Sequence, residues 1–93
     1  MKLVYTDEAI DDLKRLRKFI AVNNPTAATR IASELVGKIE LIPDFPKMGT
    51  PVELAPVPDS LRDIAFGKYV VRYSVHTSAI IILRVWHGLE GER

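Results

Sequence analysis

Apolar residues recur at helical spacing in the first half of this chain and at alternate positions in the second, so the pattern predicts helices first and strands after them. Lys2-Leu3-Val4-Tyr5 is a short opening segment of strand-forming residues. Thr6 follows as a helix N-cap, with Asp7 and Glu8 in the first turn, where carboxylates meet the positive end of the helix dipole. Behind it Ile10, Leu13, Leu16 and Ile20 keep helical spacing, with Phe19 beside them. Acids gather early (Asp7, Glu8, Asp11, Asp12) and bases late (Lys14, Arg15, Arg17, Lys18), an order that suits the dipole. Asn23-Asn24-Pro25 ends this helix, because a residue before proline avoids helical geometry, and Asn24-Pro25 reads as the N-cap and first residue of a second one. Ala28, Ile31, Ala32, Leu35, Ile39 and Ile42 line one face of that helix; only Gly37 opposes it, at about 1 kcal/mol relative to alanine. So short a link predicts an antiparallel helical hairpin.

Five of the six prolines lie between Pro43 and Pro58, together with Gly49, a composition that excludes helix interiors and central strands. Three β-patterned segments follow, Leu61 to Phe66, Tyr69 to Val75 and Ala79 to Trp86, separated by Gly67-Lys68 and His76-Thr77-Ser78. They predict an antiparallel meander. The fold class is therefore α+β: a small antiparallel sheet with the N-terminal helical hairpin packed on one face, in the order βααβββ. A three-residue turn at His76 to Ser78 sets Val75 opposite Ala79. Tyr69, Val71, Tyr73 and Val75 then share a face with Ala79, Ile81, Leu83 and Val85. Val70, Arg72, Ser74, Ile80, Ile82, Arg84 and Trp86 form the other, with Arg72 and Arg84 as diagonal neighbours.

Ninety-three residues leave room for one domain, residues 1–93, with one core. With no cysteine, neither a disulfide, a thiolate metal site nor thiol catalysis is possible. The longest apolar run, Ala79 to Leu83, falls far short of the roughly 20 residues of a membrane span, and the N-terminus lacks the apolar core of a signal peptide. A cytoplasmic location and no membrane partner are expected. Thirteen Lys and Arg against twelve Asp and Glu leave a net charge of +1, so any polyanion binding must be local.

Arg72 and Arg84 between aliphatic neighbours form a pair able to hold phosphates or carboxylates bidentately, with Trp86 as a stacking surface. The plainer reading of the same pattern, and the one the residues alone favour, is a solvated face on which arginine stems cover apolar surface. His76 falls in a turn and His87 at the end of the last strand, and neither has a carboxylate at a spacing that marks a catalytic pair. Asp7, Glu8, Asp11 and Asp12 read as helix N-terminal charge rather than as a metal site, and the Lys14 to Lys18 cluster as dipole-favoured cations. No phosphate loop, HExxH motif or nucleophile elbow is present, and no cofactor is implied.

Four segments in order, Tyr5-Thr6-Asp7-Glu8-Ala9, Phe45-Pro46-Lys47-Met48-Gly49, Gly67-Lys68-Tyr69-Val70-Val71-Arg72-Tyr73 and Ile82-Leu83-Arg84-Val85-Trp86-His87-Gly88, carry a resemblance across nearly the whole chain. The sequence resembles the RelE/ParE superfamily of bacterial toxins from type II toxin-antitoxin systems. The resemblance implies a cognate antitoxin as partner, and one of two activities. RelE-like members cut messenger RNA on the ribosome; ParE-like members poison DNA gyrase. Val70 stands where the ribonuclease branch has arginine after the tyrosine, and Leu89-Glu90 where it has Lys-Arg. By resemblance the chain is therefore ParE-like, with DNA gyrase as its target; the alternative, an endonuclease acting on ribosome and mRNA, leaves His87 as the candidate catalytic group. Arg72, Arg84, Trp86 and His87 are the expected target-contact residues, on the sheet face that the helical hairpin leaves open.

Overall fold

Two side-chain caps set the helices. The Thr6 hydroxyl accepts the Ala9 N–H at 3.0 Å and opens α1 (Asp7–Asn23), and the Asn24 side chain accepts the Ala27 N–H at 3.0 Å and opens α2 (Pro25–Ile39) with Pro25 in its first turn. The computed structural model describes residues 1–53, 55–57 and 60–91; Pro58, where the proline-rich loop was expected to end, and the last two residues of the 1–93 domain lie outside the described residues. A 3-10 turn, Ile42–Asp44, carries Ile42 into the core beyond the end of α2.

The strands are β1 (Lys2–Tyr5), β2 (Thr50–Pro51), β3 (Leu61–Phe66), β4 (Tyr69–Val75) and β5 (Ala79–His87), in the spatial order β1-β5-β4-β3-β2. The order βααβββ and the one-sided helical hairpin are as expected, with two additions. β1 lies parallel to β5, which makes the sheet mixed, and the proline-rich loop contributes the two-residue β2 at an edge, where a proline without an N–H is tolerated. Ala9, Leu16, Leu35, Ile39 and Ile42 from the helical layer meet Val71, Tyr73, Ile80, Ile82 and Val85 from the sheet in one buried cluster.

Two expected registers are corrected. On α1 the inward stripe is Ala9, Asp12 and Leu16, with Leu13 packed against it, while Ile10 and Phe19 are exposed. At the β4–β5 turn His76 pairs with Ala79 through a 2.8 Å N–H to carbonyl bond, so Val75 faces Ile80 rather than Ala79. The ladder then shifts by one residue: Tyr73 pairs with Ile82 and Arg72 with Arg84, leaving Leu83 as the extra residue of a bulge. Ile80 and Ile82 thus turn into the core instead of joining the arginine face, and Arg72 and Arg84 sit directly opposite each other instead of diagonally. A one-residue slip exchanges sheet faces, and the bulge brings Val85 back onto the core face.

Candidate functional site

Across the sheet away from the core, Asp63 of β3 pairs with Arg72 of β4, and Arg72 with Arg84 of β5. Asp12, on the inward stripe of α1 along the open edge of β5, is reached by Arg84 from the end of that row. Arg72 grips Asp63 through Nε and Nη2 at 2.8 and 2.9 Å, and Arg84 grips Asp12 through the same two atoms at 2.8 and 3.0 Å. Two like charges directly opposed across a ladder repel, and here each is bound by its own carboxylate in fork-to-fork geometry. The Arg72 guanidinium also lies 5.3 Å from the centre of the Trp86 ring. Trp86 is only 5% exposed, so it supports Arg72 from beneath rather than offering a surface of its own.

Asp12 does more than neutralise Arg84. β1 covers β5 only from Ala79 to Ile82, so the backbone beyond that point needs other partners. The α1 side supplies them: Thr6 donates its hydroxyl to the Leu83 carbonyl at 2.9 Å, Asp12 accepts the Val85 N–H at 2.9 Å, and Arg15 donates to the Val85 carbonyl at 3.3 Å. Glu90 closes the edge by accepting the His87 N–H at 2.9 Å while pairing with Arg15. Burial pushes the Asp12 carboxyl up, but hydrogen bonds from Arg84, Val85 and Arg15 outweigh it and hold the group at about 2. Hydrogen bonding to Asp12 in turn raises the Arg84 guanidinium above its ordinary range.

His87 does not join the arginines. It pairs with Tyr69, on the core side of the sheet, and packs edge-on against that ring at 5.3 Å and near Phe19 at 6.4 Å. Its Nδ1 accepts the Leu89 N–H at 3.0 Å, which assigns the proton of the neutral ring to Nε2 and leaves no free basic nitrogen in that form. His76 lies at the far turn, bonded to Ser74 at 2.9 Å. Among the described residues no cluster of His, Cys, Asp and Glu is placed to hold a metal, and no helix is long and apolar enough to cross a membrane.

Sequence reasoning placed Arg72, Arg84 and Trp86 together and missed the carboxylates that bind them. Asp63 was within reach: a two-residue turn at Gly67-Lys68 pairs Phe66 with Tyr69 and therefore Asp63 with Arg72. Asp12 also carried a signal, since it lies three residues after Ala9 and four before Leu16, on the inward stripe.

A family model described as the ParE toxin of the type II toxin-antitoxin system parDE matches residues 3–91. The chain belongs to this ParE toxin family. Toxin RelE1 of Caulobacter vibrioides is 32% identical over 81 residues, covering 85% of this chain and 84% of its own. Among solved structures, a chain of the chromosomal ParDE system from P. aeruginosa superposes with a TM-score of 0.79 over 94% of this chain and 95% of its own; at 21% identity it shows the shared fold. The toxin-antitoxin complex RelBE2 of Mycobacterium tuberculosis contributes a chain with a TM-score of 0.66 and 25% identity, over 92% of this chain and 95% of that one. As a ParE-family toxin the chain has the one-sided helical hairpin over an open sheet, and Arg72 and Arg84, each bound by a carboxylate, lie on the face away from the core.

Proposed function

We propose that this ParE-family toxin acts without cutting RNA, as a ParE-like inhibitor of DNA gyrase in the cytoplasm, and that a cognate antitoxin silences it. One observation carries the reading: His87, the base that the endonuclease reading would need, lies on the core side of the sheet, while Arg72 and Arg84 lie on the other side. Cleavage of an RNA strand needs a group to activate the 2′-hydroxyl and cations to stabilise the developing charge at one locus. Here each arginine is already bound bidentately by a carboxylate, and Glu90 adds negative charge at the tail position where the ribonuclease branch carries a cation. A self-neutralised row of planar guanidinium groups, one braced by Trp86, suits contact with a protein surface better than with a polyanion. The RelBE2 toxin-antitoxin complex, whose chain is 25% identical to this one, supports the antitoxin.

The relative named RelE1 supports the second reading, ribosome-dependent cleavage of mRNA with His87 as base. Two assays separate them. Purified protein is expected to inhibit supercoiling by gyrase and to leave messages intact in primer extension on translating ribosomes; codon-phased cuts that disappear in His87→Ala would overturn the gyrase reading.

A further inference from the structure

Of the two carboxylates that grip the arginines, one is explained by the fold and the other is not. Asp12 is buried and takes the Val85 N–H as well as Arg15 and Arg84, so the edge of β5 needs it. Asp63 has no such task. Among the described residues its carboxylate bonds to Arg72 alone, through the contacts at 2.8 and 2.9 Å, and its side chain is 29% exposed. A cross-strand ion pair this open to water adds little to stability. Aspartate is also a residue type that strands disfavour, yet Asp63 stands in the middle of β3.

The Asp63 carboxylate occupies the Nε–Nη2 edge of Arg72. Two parallel bonds from that edge are also how a guanidinium takes a phosphate, so carboxylate and phosphate compete for one seat. The guanidinium is held over Trp86, 5.3 Å from the ring centre, and Arg84 stands directly across the ladder. The fork is therefore fixed before any ligand arrives. Asp63 and Asp12 balance the charges of Arg72 and Arg84, and without Asp63 the balance among these four groups tips positive. A carboxylate on the neighbouring strand acts at an effective concentration that a dissolved phosphodiester of the same charge does not match.

We infer that Asp63 is a specificity-determining residue: its carboxylate masks an anion seat on Arg72 and so keeps nucleic-acid phosphates off the target face. The inference rests on the proposed function in one respect, that this face contacts a protein. The test follows the binding of a fluorescent single-stranded RNA of about 12 nucleotides to the full chain by anisotropy as salt is varied. Asp63→Asn keeps the shape and removes the charge. It is expected to bind at least about tenfold more tightly than the parent at low salt, and to steepen the fall of log K with log salt by about 0.7, the mark of one further phosphate contact. A loss of stability alone would produce neither gain. Both gains are expected to vanish in Asp63→Asn/Arg72→Gln and to recur in Asp63→Thr, whose side chain suits a strand. Equal binding by the parent, Asp63→Asn and Asp63→Thr, or a gain that persists without Arg72, overturns the proposal. Parent binding that is lost in Arg72→Gln overturns it too, since the seat would then be open already. Supercoiling assays decide the gyrase reading separately. The expected gain in Asp63→Asn, with a parent that does not inhibit gyrase, keeps the mask and removes that reading; no gain, with a parent that inhibits gyrase, does the reverse.

Discussion

A carboxylate that is 1% exposed survives in an apolar layer only if every lone pair it presents is used, and Asp12 meets that condition with two arginines and the Val85 N–H. Its group is held at about 2 against an ordinary 3.8, so the folded state favours the ionised form by about 2 kcal/mol. The sign follows from the depressed value. This stabilisation is complete above about pH 5, shrinks as pH falls from 3.8 towards 2, and is absent below. Asp12→Asn keeps the shape and removes the charge. It is expected to lower stability at pH 7 by about 2 kcal/mol, measured by urea denaturation, and to flatten the loss of stability between pH 4 and 2 that the parent shows.

Among the elements, the loop between α2 and β3 depends on side chains it does not contain. The buried Tyr73 hydroxyl accepts the Gly49 N–H and donates to the Pro46 carbonyl, both at 2.9 Å, and Arg62 donates to the carbonyls of Lys47 and Gly49 at 3.3 and 2.7 Å. Composition made this segment a loop; these bonds hold its Pro46 to Gly49 stretch in one conformation. Tyr73→Phe should cost about 1–2 kcal/mol and speed hydrogen exchange at Gly49. Glycines in this loop and in α2 should respond oppositely to the same change. A Cβ on Gly49 would meet the Tyr73 hydroxyl at 2.8 Å and the Asp63 carbonyl at 2.9 Å, so Gly49→Ala should destabilise by about 1–3 kcal/mol. Gly37, with nothing within 4 Å, should gain about 0.5–1 kcal/mol on Gly37→Ala. Thermal melts of the two variants decide both.

For the molecule as a whole, the proposed target face lies on the side of the sheet away from the core and the helical layer. Arg72→Ala is expected to fold and to lose growth arrest, since an anchoring arginine typically contributes about 2 kcal/mol or more to a protein contact. Arg84→Ala should lose arrest and also stability, because it leaves the Asp12 carboxylate buried without its principal partner. Trp86→Ala should unfold through lost packing, so Trp86→Phe is the variant in which arrest is read. Growth curves on induction, beside melting temperatures of the same proteins, test all three; full toxicity in folded Arg72→Ala would move the contact elsewhere.

Caps, periodicity and turn residues are local, and they were enough to define the two helices, the three long strands and their order from the chain alone. Thr6, Asn24-Pro25 and Gly67-Lys68 act within a few residues of themselves, so their consequences are legible without knowing what packs against them. The bulge at Leu83 is different. It depends on α1 lying along the open edge of β5, where Thr6, Asp12 and Arg15 bind backbone groups more than seventy positions away in sequence or close to it. That single extra residue turned Ile80 and Ile82 inward and set Arg72 squarely against Arg84. Only the tertiary structure could show that Asp12 reaches both Arg84 and the Val85 N–H, because that contact joins α1 to β5, segments with no local signal of each other.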